Sequence, residues 1–490
     1  DADASSFLGA TELCDSIDQD CDGDIEENFP DEDGDEELDC MDPEINSVTS
    51  IGGARIMNTP PLNTYAIYRE GAIGDVDNDG LKDIVLNNYF GGVNFFPGAN
   101  AYNNFAFLPI NSPSQITSAA TVADMFTAIP GDEIVVTASG TGQNGDSLLI
   151  CAGPVPNCQT SIFKVIDGGG NLLGSASSIF ADGLQISSTP AIGDIDGDGN
   201  NELVVTTRPG TQTGNGSIRA YEPDGTMLFE VQGTNFDDEV PVIAQMYSGT
   251  RIIANSKTTL YVLDNIGDIV CTWTAPNDMF GSPIVDEMEN TILVRNFQEG
   301  RKLDADTCTI IAGPSVISGT GALPDPNIIV ADIRPDIPGK EVIAPNENQI
   351  RISSTTLTSV LNIPTPTMIF TVAVGDLNND GQLSILAAGW DGFIYAYNPV
   401  SGQIEPGTPP IEVPFSTSTE PGQVRSMLTF VGADGCLNIA GFSSFRWPTL
   451  TSLPPPYSND LSVFTTTTCY GDPIVYETIQ GTNDRKGIVE

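Results

Sequence analysis

The sequence predicts an all-β protein, a β-propeller preceded by a small Asp-rich module. Three observations predict it: a strand, loop and strand unit that recurs eight times, glycine and proline spread along the whole chain, and a head whose composition differs from everything after it. The 490 residues include 50 Gly and 35 Pro, punctuation dense enough to leave little room for helices and to favour many short strands. Hydrophobic residues make up 40% of the chain, sufficient for a sizeable core despite the acidity.

Residues 1–47 form the head, a calcium-binding module crowded with Asp and Glu and carrying three of the nine cysteines, Cys14, Cys21 and Cys40. Asp18, Asp20, Asp22, Asp24 and Glu26 make one acidic ladder around Gly23, and Asp31, Asp33, Asp35 and Asp39 make a second around Gly34. The stretch from Cys14 to Asn28 resembles the metal-binding motif of large bacterial surface proteins and is similar to thrombospondin type 3 repeats. That resemblance implies calcium wrapped with little hydrophobic core. Asp1 to Asp15 reads like the second half of such a repeat, and Asp39 to Val48 like the start of the next. Further acidic repeats before Asp1, or cleavage there, are therefore expected.

From Val48 the pattern changes to apolar alternation broken by Gly, Pro, Asn and Asp, the signature of strands and turns. The propeller is assigned to residues 48–478, with a polar tail at 479–490. Its clearest units run from Ala72 to Asn87, Ala191 to Thr206 and Ala373 to Ala388, each an apolar strand, an acidic loop and a second apolar strand. Units from Val122 to Gly140 and from Val330 to Asn346 replace the loop with a Pro-Gly turn. Fainter ones lie at Pro241–Ala254, Gly281–Arg295 and Met427–Ser443. Anchors near 75, 124, 194, 244, 286, 332, 376 and 434 are separated by 49, 70, 50, 42, 46, 44 and 58 residues. That period is typical of propeller blades, four-stranded sheets that bury their faces only against neighbouring blades.

The three clear loops carry the chemistry. Asp75, Asp77, Asp79 and Asp83 place side-chain oxygens at positions 1, 3, 5 and 9, with Gly80 at the sharp turn and the Leu81 carbonyl available at position 7. Such an arc of oxygens wraps a hard cation. Asp194, Asp196, Asp198 and Glu202 repeat the spacing, with the Asn200 carbonyl at position 7. The third loop offers Asp376, Asn378, Asp380 and the Gln382 carbonyl, but Ser384 stands at position 9, so it is expected to be the weakest. Magnesium prefers fewer protein ligands and keeps its waters, so calcium is the expected ion.

These loops resemble the FG-GAP repeats of integrin α-subunit propellers and their bacterial relatives, over about residues 55–470. The resemblance implies structural calcium at the edge of the ring and no catalysis. It also implies seven blades where eight units are counted, which leaves the blade number open at this point.

Acidic residues outnumber basic ones 66 to 18, for a net charge of −48, which repels nucleic acid and anionic membrane surfaces. No stretch is long and apolar enough to span a membrane. The absence of histidine removes the usual general base and the commonest transition-metal ligand. No Cys-x-x-Cys pair occurs, and disulfides in an oxidising compartment are the better reading. Spacing suggests Cys151 with Cys158, Cys271 with Cys308, and Cys436 with Cys469. The expected function is a secreted or cell-surface structural and adhesion protein, not an enzyme, with calcium, surface glycans or proteins, or further copies of itself as partners. Two alternatives are a calcium-bearing polysaccharide lyase, weakened by the scarcity of basic residues, and a lectin stacking sugars on Trp273, Trp390 or Trp447.

Overall fold

The computed structural model describes residues 48–57, 71–139 and 161–466, outside 89–91, 103–105, 110–114, 117–119, 176–183, 210–214, 237–239, 317–327, 378–380, 414–422, 433–435, 445–457 and some positions of one or two residues. Within them the strands form eight antiparallel sheets. These are blades 1 (72–109), 2 (115–175), 3 (184–234), 4 (242–274), 5 (284–316), 6 (329–364), 7 (369–412) and 8 (423–466), the last completed by Val48–Met57. The fold is an eight-bladed propeller, and each anchor read from the sequence falls in its own blade. Eight replaces the seven that the resemblance to integrins implies. Among the described residues, no helix is long and apolar enough to cross a membrane.

Sheets stacked face to face explain the hydrophobic pattern. The inner two strands of a blade are covered on both sides, so they read as continuous apolar runs rather than as alternation; Glu341–Pro345 and Ser384–Gly389 are buried at every position. The outer strand Ile269–Thr274 is exposed or half-buried throughout. Each core cluster bridges neighbours: Val85 and Val93 of blade 1 pack with Val122 and Ile134 of blade 2, and Ile253 and Val262 of blade 4 with Val285 and Ile292 of blade 5. Ile84, Leu86 and Phe96 of blade 1 meet Phe430, Phe442 and Val463 of blade 8, which closes the ring.

Closure is also made by hydrogen bonds. Val48–Met57 supplies the outer strand of blade 8, pairing from Val48 opposite Thr466 to Met57 opposite Ser458. Thr465 lies opposite Asn438, next to the loop between the first two strands of that blade. Val48 therefore stands at the face of the ring that carries these inter-strand loops, and the acidic head joins the ring there.

A disulfide joins Cys271 in the outer strand of blade 4 to Cys308 in the hairpin of blade 5, with 5.8 Å between Cα atoms. It is the expected pair, and it staples two blades. Cys436 is also disulfide-bonded; its expected partner Cys469 lies outside the described residues, as do Cys14, Cys21, Cys40, Cys151 and Cys158.

Candidate metal centre

The acidic loops connect the first and second strands of their blades. In blade 1, between Ala72–Gly74 and Asp83–Asn88, the turn is made by Gly80 at φ +85°, a left-handed conformation that glycine adopts without steric cost. The Gly80 N–H donates to Asp75 Oδ2 at 3.0 Å and the Asp79 N–H to Asp75 Oδ1 at 3.0 Å. The same latch recurs in blade 3, Gly199 to Asp194 at 3.1 Å, and in blade 7, Gly381 to Asp376 at 2.8 Å. Position 1 is thus held by its own loop, with its carboxylate aimed inward along the arc.

Among the described residues, two loops gather carboxylates. Oxygens of Asp75, Asp77 and Asp83 lie within 4.8 Å of one another, and so do those of Asp194, Asp196 and Glu202. Positions 1, 3 and 9 make each group. The position 5 side chains turn to their own loops instead, Asp79 accepting from the Leu81 N–H at 2.9 Å and Asp198 from the Asn200 N–H at 2.8 Å. In blade 7, Asp376 and Ser384 are buried and Gln382 is exposed; Asn378 and Asp380 lie outside the described residues. So do Asp18, Asp20, Asp22, Asp24, Glu26, Asp31, Asp33, Asp35 and Asp39 of the head.

Position 9 has a second task that sequence reading missed. Its carboxylate is buried at the start of the second strand and accepts the backbone N–H of position 2: Asp83 from Val76 at 2.8 Å, Glu202 from Ile195 at 2.6 Å. The Pro-Gly units keep this acid without the ladder, Glu133 accepting from Met125 at 2.8 Å and Glu341 from Ile333 at 3.2 Å. It is a structural feature of the repeat, to which blades 1 and 3 add a carboxylate cluster that could hold a metal ion. The signal was present in the sequence as Asp-Glu-Ile and Lys-Glu-Val after the Pro-Gly turn, one residue on from the turn's apparent end.

Burial and mutual repulsion show in the proton affinities. Burial pushes Asp83 up to about 6 and Glu202 up to about 7. Asp77 is raised by burial and by the charges of Asp79 and Asp75. Glu222, beyond the third strand of blade 3, is raised by burial and by Asp196, Asp198 and Asp224, which marks it as a neighbour of the second cluster.

Glu341, at the start of a strand in a unit with no ladder, tests what burial costs, with Asp332 adding a smaller push upward. Desolvation raises it from 4.5 to about 7, partly opposed by the Ile333 N–H. A carboxyl held more tightly protonated in the ring than in the unfolded chain contributes stability that is full below pH 4.5 and lost as the pH rises through about 7. Glu341→Gln removes that loss. Its unfolding midpoint relative to wild type is expected to rise between about pH 5 and about pH 8, measured by thermal melts in chelator; parallel profiles would refute the assignment.

Adjacent loops are latched around the face. The Asp75 N–H donates to Asp132 Oδ2 of blade 2 at 2.9 Å, and the Asp132 N–H donates to the Asp75 carbonyl at 2.8 Å. Asn201 of blade 3 donates to the Asp124 carbonyl of blade 2 at 2.7 Å, and Lys340 of blade 6 pairs with Asp286 of blade 5 at 3.7 Å. Ordering one loop therefore orders its neighbour. Of the tryptophans, Trp390 stacks on Phe370 at 5.2 Å and Trp273 lies 6.0 Å beneath the Arg301 guanidinium. Trp447 lies outside the described residues.

Residues 1–27 match a family described as "Putative metal-binding motif", whose name refers to copper binding in MopE. No curated protein matches the chain. Among solved structures the chain is similar to Sqt1 from Saccharomyces cerevisiae, with TM-score 0.51 and 9% identity over 85% of this chain and 99% of that one. It is also similar to BamB from Moraxella catarrhalis, with TM-score 0.47 and 13% identity over 85% of this chain and 97% of that one. At such identities the likeness to Sqt1 concerns the propeller fold alone.

Proposed function

We propose that this chain is an extracellular, calcium-stabilised propeller of the FG-GAP kind that serves as a surface scaffold or adhesion module and carries out no catalysis. One repeated geometry carries this reading. In blades 1 and 3 the same loop brings three carboxylates within 4.8 Å of one another, an arrangement that repels itself until a cation occupies it. The donors are all oxygens and the chain has no histidine, a set that suits calcium, magnesium or manganese better than copper. A flexible arc offering about five oxygens from one loop favours calcium over magnesium.

The disulfide between blades suits an oxidising compartment. Five calcium ions, three in the ring loops and two in the head, would leave the net charge near −38 from the −48 of the bare chain. The surface stays anionic, so further calcium can bridge one copy to the next. The head joins the ring at the loop face, which makes a head-to-ring contact between copies the natural route to a fibre.

Light scattering on one purified sample, first in saturating calcium and then in excess chelator, tests the assembly. Large particles that dissociate on chelation are the expected result. A monomer of unchanged mass in both conditions would remove self-assembly and direct attention to glycan or protein partners on a host surface.

A further inference from the structure

We propose that Glu222 is a direct ligand of the blade 3 centre, so that the ion there ties the first loop of the blade to its last hairpin. This rests on the reading of the acidic loops as calcium sites and adds a residue that lies outside the loop motif. The register supplies the first reason. Leu203 is opposite Tyr221 in the antiparallel pair, so the next pair outward sets Glu202 opposite Glu222. Residues directly opposite project from the same face of a sheet at close range, which puts Glu222 on the side where Glu202 joins Asp194 and Asp196.

The second reason is an unused acceptor. Glu202 is fully buried; its Oε2 accepts the Ile195 N–H, whereas its Oε1 is buried with no hydrogen-bond partner. Glu341 Oε1 of blade 6 is left bare in the same way; what distinguishes Glu202 is that its oxygens lie within 4.8 Å of those of Asp194 and Asp196, and a bare buried acceptor in such a cluster suits a cation. Blade 1 is the control within the same molecule. There Asp83 uses both oxygens, Oδ2 for the Val76 N–H at 2.8 Å and Oδ1 for the Gly98 N–H at 2.9 Å. With Ile84 opposite Phe96, the residue facing Asp83 is Pro97, which has no carboxylate to offer. Two loops with the same ligand spacing therefore differ in what their third strand contributes.

The hairpin is built to hold Glu222 still. Its N–H donates to the Thr226 carbonyl at 2.8 Å, its carbonyl accepts the Gly225 N–H at 2.9 Å, and Asp224 takes the Thr226 N–H at 2.8 Å. With Glu222 added to Asp194, Asp196 and Glu202, the blade 3 centre has four acidic ligands against the three of blade 1. Calcium takes six to eight oxygens, and its affinity is tuned by the number of charged ligands. The blade 3 centre consequently binds calcium more tightly than the blade 1 centre and fills first.

Calorimetric titration of calcium into the full, metal-stripped chain tests this with Glu222→Gln, Glu222→Asp, Asp194→Asn and Asp75→Asn. Glu222→Gln and Glu222→Asp are each expected to weaken one calcium by about tenfold or more. It should be the same calcium that Asp194→Asn abolishes, while Asp75→Asn acts on a weaker one. Circular dichroism of each variant in chelator confirms that the ring is folded. If Asp194→Asn abolishes a calcium but neither Glu222 variant changes its affinity, Glu222 is no ligand and the loop sites stand. If Glu222→Gln weakens binding and Glu222→Asp does not, the charge acts at a distance and direct ligation is overturned. If Asp194→Asn and Asp75→Asn leave every calcium affinity unchanged, the loop sites themselves are refuted and this assignment falls with them.

Discussion

Chelating calcium is expected to lower the unfolding midpoint of the propeller by several degrees, and Asp75→Asn combined with Asp194→Asn is expected to abolish most of the ring's share of that response. A ligand that binds only the folded state stabilises it by about 2.7 kcal/mol at a hundredfold excess over its dissociation constant. Two occupied centres therefore contribute about 5 kcal/mol, on the scale of a typical domain's whole stability. The effect has a structural route. The blade 1 and blade 3 loops are both latched to blade 2, Asp75 to Asp132 and Asn201 to Asp124, so loss of the ion loosens an interface and not merely a turn. Thermal melts of wild type and the double variant, with and without calcium, check it. Equal calcium-dependent shifts in both proteins would place the responsive ions in the head.

Replacing Cys271 and Cys308 together by serine is expected to cost about 2–4 kcal/mol. The bond spans 37 residues, a length for which the entropy of the unfolded loop alone amounts to about 4 kcal/mol. It crosses between blades 4 and 5, where Cys308 is buried among Met279, Val285 and Leu303, so the serine hydroxyls also enter an apolar seam. Denaturant unfolding of the double variant against wild type, both in saturating calcium, measures it. Coincident unfolding curves would show that packing between these blades holds them without the staple.

The unit count was legible because strands covered on both faces write long apolar runs and the turns between them write Gly, Pro and Asp, both local signals. The same locality made the loop ligands Asp75, Asp77, Asp83, Asp194, Asp196 and Glu202 readable, since all members of each arc lie within nine consecutive residues. Glu222 was not readable. It is twenty residues from Glu202 in the chain, and only the pairing of Leu203 with Tyr221 brings the two together.

By itself, then, the sequence determined the class of fold, the repeat and the acidic arcs, because each depends on residues close together along the chain. Tertiary structure decided the rest. Ring closure by Val48–Met57 against Ser458–Thr466 joins strands some 400 residues apart, and the eight-blade count follows from that closure. It also decided that position 9 is first a buried anchor for its loop, shared by Glu133 and Glu341, and, among the described residues, part of a carboxylate cluster in blades 1 and 3. Hydrogen bonds and desolvation depend on which groups meet in space, and folding alone sets that.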